Sequence, residues 1–254
     1  MPDLAKLTCP DAAELFGPRT IAIVPIGSTE PHGPHLPLDT DVTIAVSQSR
    51  RAAERLEAAG VATLVLPPLP YGLTNWTEGF AGRVTLRPGT LWSLLEDIVA
   101  SLEQDGVRRI VFANGHLEPA HVQVLRGVAM DHPECSKERA QILFVDVTRR
   151  KNAEKLGDEF QSGDCHAGRY ESSLVLAADA ESVRDDVRRA LRPVRIDLLE
   201  KMKTGVESFR KAGATQAYCG DPAAASAAEG DDLLDRLSDM IVFACRETWP
   251  DLFA

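Results

Sequence analysis

The sequence lacks the features that mark secreted, membrane and nucleic-acid-binding proteins. Its five cysteines are odd in number and form no C-x-x-C pair, which indicates reduced thiols rather than a disulfide framework. No apolar run approaches the ~20 residues of a membrane span, and the first residues lack the apolar core of a secretory signal. A formal net charge of −10 argues against a basic nucleic-acid surface. We therefore expect a cytoplasmic protein with no nucleic-acid and no membrane partner.

The chain has the length and the apolar content of one large α/β domain. It contains 254 residues, of which 44% are hydrophobic. Apolar runs alternate with amphipathic stretches, which is typical of βα units around a mostly parallel sheet. We predict a single domain over residues 1–254 with four strands: Thr20–Ile26, Val61–Leu66, Val107–Ala113 and Gln141–Val147.

Apolar residues spaced by threes and fours predict helices between and after these strands. The predicted helices are Asp41–Ala58, Thr90–Gln104, Pro119–Met130, Ser172–Ala178 and Asp231–Glu247. The stretch before the last helix, Gly213–Gly230, is rich in Ala and Gly and predicts a loop. In open α/β sheets, ligands bind outside the carboxyl ends of the strands. The loops that follow the four strands are therefore where we expect a site.

Two of these loops carry histidines close to carboxylates. Glu30 and His32 follow the first strand two residues apart, so both side chains leave the same side of an extended segment, and Asp41 lies where the next helix begins. His116 and Glu118 repeat this spacing after the third strand. Any one of these residues could be a helix cap or a surface residue. Five of them in two loops instead predict a site for two divalent ions, Zn, Mn or Fe(II), with Asp41 as the bridging carboxylate.

A later segment, GDCHAGRYESS, places a histidine and a carboxylate around a glycine turn that opens a helix. His166 is the natural proton shuttle of the proposed site, because an unperturbed imidazole titrates near physiological pH. Glu171 is placed either to orient His166 or to contact an ion. The alternative for His166 is a surface position at the helix terminus.

Four stretches resemble the signature of the creatininase (creatinine amidohydrolase) family, in order and at similar separations: VPIGSTEPHGPHLPLDTD, ANGH, GDCHAGRYESS and CGDPAAASAAEG. The resemblance implies a three-layer αβα fold and a homo-oligomer, up to a hexamer. It also implies a binuclear site. In this chain Glu30 and His116 would hold one ion, His32 and Glu118 the other, and Asp41 would bridge them.

The activity that the resemblance implies is metal-dependent hydrolysis of a C–N bond other than a peptide bond, in a cyclic amide, a formamide or a peptide-like group, by a metal-bridging hydroxide. Creatininase has tryptophans in the loop after the fourth strand and just before its HAG-type histidine. This chain has none there, so we expect a member other than creatininase itself. One alternative is a hydrolase of the same fold that acts on a peptide C-terminus, of the mycofactocin-precursor type, or on a sugar-derived ring ketone or lactone.

Two alternatives from other classes are weaker. A non-enzymatic metal-binding assembly protein is disfavoured by the intact ligand set together with His166 and Glu171. A dinucleotide-binding protein is disfavoured because no G-x-G-x-x-G opens a helix.

Three residues are predicted to contact the substrate. Trp76 lies in the loop after the second strand, Arg83 follows that loop, and Arg169 follows His166. Guanidinium groups bind carboxylates and phosphates through paired hydrogen bonds, so the two arginines predict a substrate with an anionic group. The alternatives are that Trp76 packs under its loop and that each arginine pairs with a nearby acid.

The remaining histidines are assigned to supporting positions. His35 belongs to the family-like signature and is predicted to orient a metal ligand. His121 and His132 are predicted to lie on a helix surface.

Overall fold

Four parallel strands form the central sheet in this computed structural model, which describes residues 3–134 and 139–253. The strands are β1 Ile21–Ile26, β2 Thr63–Val65, β3 Arg109–Asn114 and β4 Gln141–Phe144. Their order is β2-β1-β3-β4. β1 and β3 pair in register along their whole length and end level with each other, Ile26 opposite Asn114. The loops that follow these two strands therefore start side by side.

Helices connect and follow the strands. In chain order they are α1 Cys9–Leu15, α2 Thr40–Ala58, α3 Pro88–Gln104, α4 Pro119–Glu134, α5 Arg150–Ala153, α6 Asp158–Ser162, α7 Arg169–Ala178, α8 Asp185–Ala190, α9 Leu198–Lys203, α10 Phe209–Ala212 and α11 Ala227–Thr248. None of the helices within the described residues combines the length and the apolar character of a membrane span.

Both faces of the sheet are covered, as the αβα prediction requires. Successive residues of β1 alternate between two cores: Ala22 and Val24 pack with α3 and α4, whereas Ile21 and Ile23 pack with α2 and α11. A strand buried on both faces needs an uninterrupted apolar run, which is why the sequence of β1 shows no polar alternation. The predicted three-layer fold with a parallel sheet is confirmed.

Some boundaries differ from the sequence prediction for local reasons. β4 ends at Phe144 instead of Val147, because the Asp146 side chain accepts hydrogen bonds from the backbone N–H and the hydroxyl of Thr148 and turns the chain. α7 begins at Arg169, three residues before the predicted start, and α11 begins at Ala227, inside the predicted loop. Its start is fixed by Ser226, whose side chain accepts a hydrogen bond from the N–H of Glu229.

Gly230→Ala is expected to lower the free energy of unfolding by about 3 kcal/mol, the scale of overpacking in a core. α7 and α11 touch at this position, and a Cβ on Gly230 would lie 1.8 Å from the carbonyl oxygen of Ser173. The clash outweighs the higher helix propensity of Ala. A Cβ added to Gly89, in the first turn of α3, would have no other atom within 4 Å. Gly89→Ala is therefore the matched control. Urea unfolding measures both variants, and equal stabilities would contradict the packing argument.

Candidate metal centre

Two glycines let the loops after β1 and β3 close onto the first turn of α2. A Cβ on Gly115 would lie 2.2 Å from the carbonyl oxygen of Asp41, and one on Gly27 would lie 2.6 Å from the backbone nitrogen of Val42. No other residue permits so close an approach of two backbones. The neighbouring side chains of both loops therefore converge on Asp41, at the carboxyl ends of the strands.

One group of possible ligands contains Glu30, Asp41 and His116, whose ligand atoms lie within 4.8 Å of one another. The Nδ1 atom of His116 lies 2.9 Å from Asp41 Oδ2 and 3.3 Å from Glu30 Oε1. Its Nε2 lies 2.5 Å from the carbonyl oxygen of Leu73. A ring whose Nε2–H donates to a carbonyl keeps the Nδ1 lone pair free to bind a metal ion.

A second group contains His32, Asp41 and Glu171. The Nε2 atom of His32 lies 3.2 Å from Asp41 Oδ1 and 3.5 Å from Glu171 Oε2. Its Nδ1 lies 3.0 Å from the backbone carbonyl oxygen of Glu30, to which an Nδ1–H would donate. Nε2 itself is buried and has no hydrogen-bond partner within the part of the chain that the structure describes. A buried nitrogen that faces two carboxylates and has no hydrogen-bond partner is suited to bind a metal ion together with those carboxylates.

Asp41 belongs to both groups and turns one carboxylate oxygen to each. Oδ1 faces His32, whereas Oδ2 faces His116 and also accepts a hydrogen bond of 2.7 Å from the Ser28 hydroxyl. Each group offers one nitrogen and two oxygens, a mixed set that suits Zn, Mn or Fe(II) and leaves coordination positions for water or substrate. The residues present therefore fit two divalent ions that share one carboxylate.

The charges of the cluster lead to the same conclusion. Glu30, Asp41 and Glu171 are all buried. Burial and the charges of the other two carboxylates raise the pKa of Glu171 to about 8, although His32 opposes the rise. Burial alone would lower the pKa of His32, but the same carboxylates raise it to about 10. So much buried negative charge must be offset by protons or by metal cations.

His166 lies beside these two groups and forms a third possible ligand group with Glu30 and His32. Its Nε2 lies 3.0 Å from the carbonyl oxygen of Pro31, and its Nδ1 lies 3.9 Å from Glu30 Oε1 and 4.0 Å from Glu171 Oε2. The ring is buried and stacks on Phe209 at a centroid distance of 4.2 Å. The surface alternative for His166 is therefore wrong. Burial, together with the charge of His32, lowers the pKa of His166 to about 4, so the imidazole is neutral at physiological pH.

Glu118 lies on the wall of the site rather than in either ligand group. Its Oε1 accepts a hydrogen bond of 2.8 Å from the Asn75 amide, and its Oε2 accepts one of 3.1 Å from the backbone N–H of Trp76. Burial raises its pKa. In the described residues, the carboxylate that joins Asp41 beside His32 in the second ligand group is that of Glu171. The geometry thus favours Glu171 over the predicted Glu118 as the remaining ligand.

A cavity of about 270 Å³ opens above the candidate centre. Trp76 lines this cavity, as predicted. Arg83 and Arg169 are not among the described residues that line it. Arg169 forms ion pairs with Asp158 and Glu229, so the alternative of an acid partner is the right one for this residue. The two-arginine anion site predicted from the sequence is not formed at the cavity.

Sequence reasoning missed the wall that α9 and α10 provide. Phe209 stacks on His166. The rings of Trp76 and Phe209 meet edge to face at a centroid distance of 5.5 Å. Asp164 holds this wall in place, because its carboxylate accepts hydrogen bonds from the backbone N–H groups at the start of α9. Helices of four to six residues are too short to show an apolar period, so no sequence signal identified Phe209.

Two histidine assignments need correction. His121 and His132 are buried, not on a helix surface. His121 lies 3.1 Å from the Asn114 side-chain oxygen and meets the edge of the His116 ring, whereas His132 lies 2.9 Å from Glu103 Oε1. His35 lies 2.8 Å from the hydroxyl of Ser172, the residue after Glu171, and through this contact supports the start of α7; its predicted role in orienting a metal ligand stays a prediction.

The fold and the ligand set define a three-layer αβα protein with a candidate binuclear metal centre at the carboxyl ends of its strands. The sequence pattern of the creatininase family, described as creatinine amidohydrolase, matches residues 5–245. The chain belongs to the creatininase family, and its relatives identify it as a hydrolase.

Two relatives and one solved structure show the range of this similarity. The mycofactocin precursor peptide peptidase of Mycolicibacterium smegmatis is 31% identical over 91% of this chain and 86% of its own. The creatinine amidohydrolase of Pseudomonas putida is 26% identical over 91% of this chain and 90% of its own. The solved structure "Creatininase Mn" has a TM-score of 0.73 at 22% identity and covers 97% of this chain and 98% of that chain. The last likeness supports the fold alone.

Proposed function

We propose that this creatininase-family hydrolase uses two divalent metal ions to cleave an amide-type C–N bond. The observation that carries the proposal is the position of Asp41 between two ligand groups on the floor of a cavity. One ion would be held by Asp41 with Glu30 and His116, and the other by Asp41 with His32 and Glu171. Divalent ions at such a site supply a water of lowered pKa and an electrophile for the carbonyl oxygen.

The residues around the centre would do the remaining work. Phe209 and the carbonyl oxygen of Pro31 fix the His166 ring, so its Nδ1 lone pair is held toward the carboxylates. From there His166 could move a proton to the leaving nitrogen. Glu118, whose pKa is raised, is a second group on the cavity wall that could hold a proton. Trp76 and Phe209 line the cavity beside His166 and would limit the access of bulk water.

Two substrate classes fit this site. The first is a small cyclic amide or formamide, which matches the size of the cavity. The second is a peptide C-terminus, which the 31% identity to a peptide peptidase favours. The apolar side chains of Val122, Leu199 and Met202 that line the outer cavity would suit the side chain of such a peptide.

A substrate panel tests the proposal. Metal-loaded protein is incubated in ¹⁸O-labelled water with cyclic amides, formamides and short peptides, and the products are analysed by mass spectrometry. We expect ¹⁸O in a carboxylate product, release of an amine, and loss of both after chelation. Turnover that persists in metal-stripped protein would contradict the proposal, as would failure of the metal-loaded protein on every class of substrate.

We also propose that the protein works in the cytoplasm as a homo-oligomer, up to a hexamer. Free, buried Cys165, Cys219 and Cys245 support a reducing compartment. The family resemblance supports the assembly. Light scattering on purified protein tests it, and a monomer at micromolar concentration would contradict it.

A further inference from the structure

The cavity above the candidate metal centre runs along one face of α4 to an arginine. Glu118, Val122 and Arg126 follow one another at intervals of four residues and all line the cavity. Glu118 stands just before α4, and a helix rises about 1.5 Å per residue, so the backbone of Arg126 lies about 12 Å farther along the helix axis than that of Glu118. The cavity is therefore lined both by a cluster of carboxylates and, farther along α4, by a permanent cation.

Arg126 is held in a fixed orientation. Its Nε and Nη2 atoms both lie 2.6 Å from Asp146 Oδ2, and Nη2 also donates to the Thr148 hydroxyl at 2.8 Å. Its Nη1 has no hydrogen-bond or ion-pair partner within the described ranges 3–134 and 139–253. The side chain is 34% exposed. A guanidinium plane fixed on one edge, with N–H groups left over, is suited to bind an anion.

The charges around Arg126 leave a positive surplus. Asp146 is its acid partner, but the same carboxylate also accepts from Arg149 Nε at 3.1 Å. Thr148 adds two further donors to Asp146 Oδ1. One carboxylate is thus shared by two arginines. Arg169 differs, because two acids, Asp158 and Glu229, already neutralise it.

We propose that Arg126 binds an anionic end of the substrate, a carboxylate, while the bond to be cleaved lies at the metal centre. This inference rests on the proposed function and adds the substrate class to it. An extended chain covers about 3.3–3.6 Å per residue, so a backbone separation of about 12 Å corresponds to at most three or four residues. The substrate is then a short peptide or a peptide-like acyl chain with a free carboxylate. The anionic substrate expected from Arg83 and Arg169 is retained, but its partner is Arg126.

Two matched hydroxamates test this subsite without knowledge of the natural substrate. Both are linear and long enough to span about 12 Å; one ends in a carboxylate and its twin in a neutral carboxamide. The hydroxamate group chelates metal ions, so it anchors each probe at the proposed centre. Binding to manganese-loaded protein is measured by calorimetry. We expect the wild type to bind the carboxylate about tenfold more tightly than the carboxamide, the effect of one charged, partly exposed hydrogen-bonded pair.

Arg126→Ala is expected to abolish this preference while leaving the affinity for the carboxamide unchanged. Arg126→Lys should restore part of it, because lysine keeps the charge and loses the planar fork. Arg150→Ala is the matched control: it removes the same charge from a nearby side chain that is 93% exposed and paired with Glu154, and the preference should persist. Melting temperatures check that each variant is folded, and the lysine variant carries the test if Arg126→Ala is not.

The outcomes separate the two proposals. Equal binding of both probes to the wild type, or an unchanged preference in Arg126→Ala, overturns the anion subsite and leaves the metal-dependent hydrolase intact. If neither hydroxamate binds the wild type in a metal-dependent manner, the proposed centre is wrong and the subsite built on it falls as well.

Discussion

Asp41→Ala is expected to release both metal ions and to reduce hydrolysis to background. Among the described residues, Asp41 is the carboxylate closest to both His32 and His116, at 3.2 Å and 2.9 Å, whereas Glu30 lies 3.9 Å and 3.3 Å from them. Loss of the Asp41 carboxylate removes one oxygen from each ion site. It also leaves the Ser28 hydroxyl without the acceptor of its hydrogen bond. Elemental analysis of reconstituted, dialysed protein measures the ions, and turnover of the substrate found in the panel measures activity.

Asp39→Ala is the control for this variant. This variant removes the same charge two residues before Asp41. The Asp39 side chain, however, is exposed and makes no capping hydrogen bond to α2. We expect it to keep both ions and its activity. Glu30→Gln and Glu171→Gln should each weaken one ion only, because each belongs to one of the two Asp41 groups. Full metal occupancy in Asp41→Ala would show that this carboxylate is not the bridge.

His166→Ala is expected to keep both ions and to lose about 10²–10⁴-fold in turnover, the usual size of general acid–base effects. The ring is held by Pro31 and Phe209 with Nδ1 near 4 Å from two carboxylates, which is close enough to serve the reacting atoms without being needed as a ligand. The expected loss is in kcat, because the proton moves during the chemical step.

A loss of metal in His166→Ala would point to a different role, since His166 also forms a possible ligand group with Glu30 and His32. His132→Gln is the control for removing a buried histidine, because His132 contacts Glu103 and does not line the cavity. A His166 variant with the rate of the wild type would exclude the shuttle.

The fold and most of the site could be predicted from the sequence because both depend on local patterns. β1 is buried on both faces, so its six residues form a continuous apolar run. Glu30, His32 and His116 follow strands that end level with each other, and parallel topology places such loops together. Asp41 completes the set because α2 begins one residue before it.

The rest depended on contacts between distant segments. Glu171 lies on the first turn of α7, and no spacing rule shows that this turn reaches His32 while Glu118 is held by Asn75 and Trp76. Arg126 looked like an ordinary helix residue, because its position at the cavity depends on Asp146 after β4. The positive charge alone could not show that Arg126, and not Arg169, is available to bind an anion, because the two acids that neutralise Arg169 lie in other segments of the chain.

The most direct test of the central claim is the anomalous diffraction of crystals grown from manganese-loaded protein. The account predicts two metal peaks per chain on the cavity floor, each in contact with one oxygen of Asp41. One peak should lie between Glu30 and His116, and the other between His32 and Glu171. A single peak, a pair of peaks that Asp41 does not join, or no metal at this floor would contradict the binuclear centre.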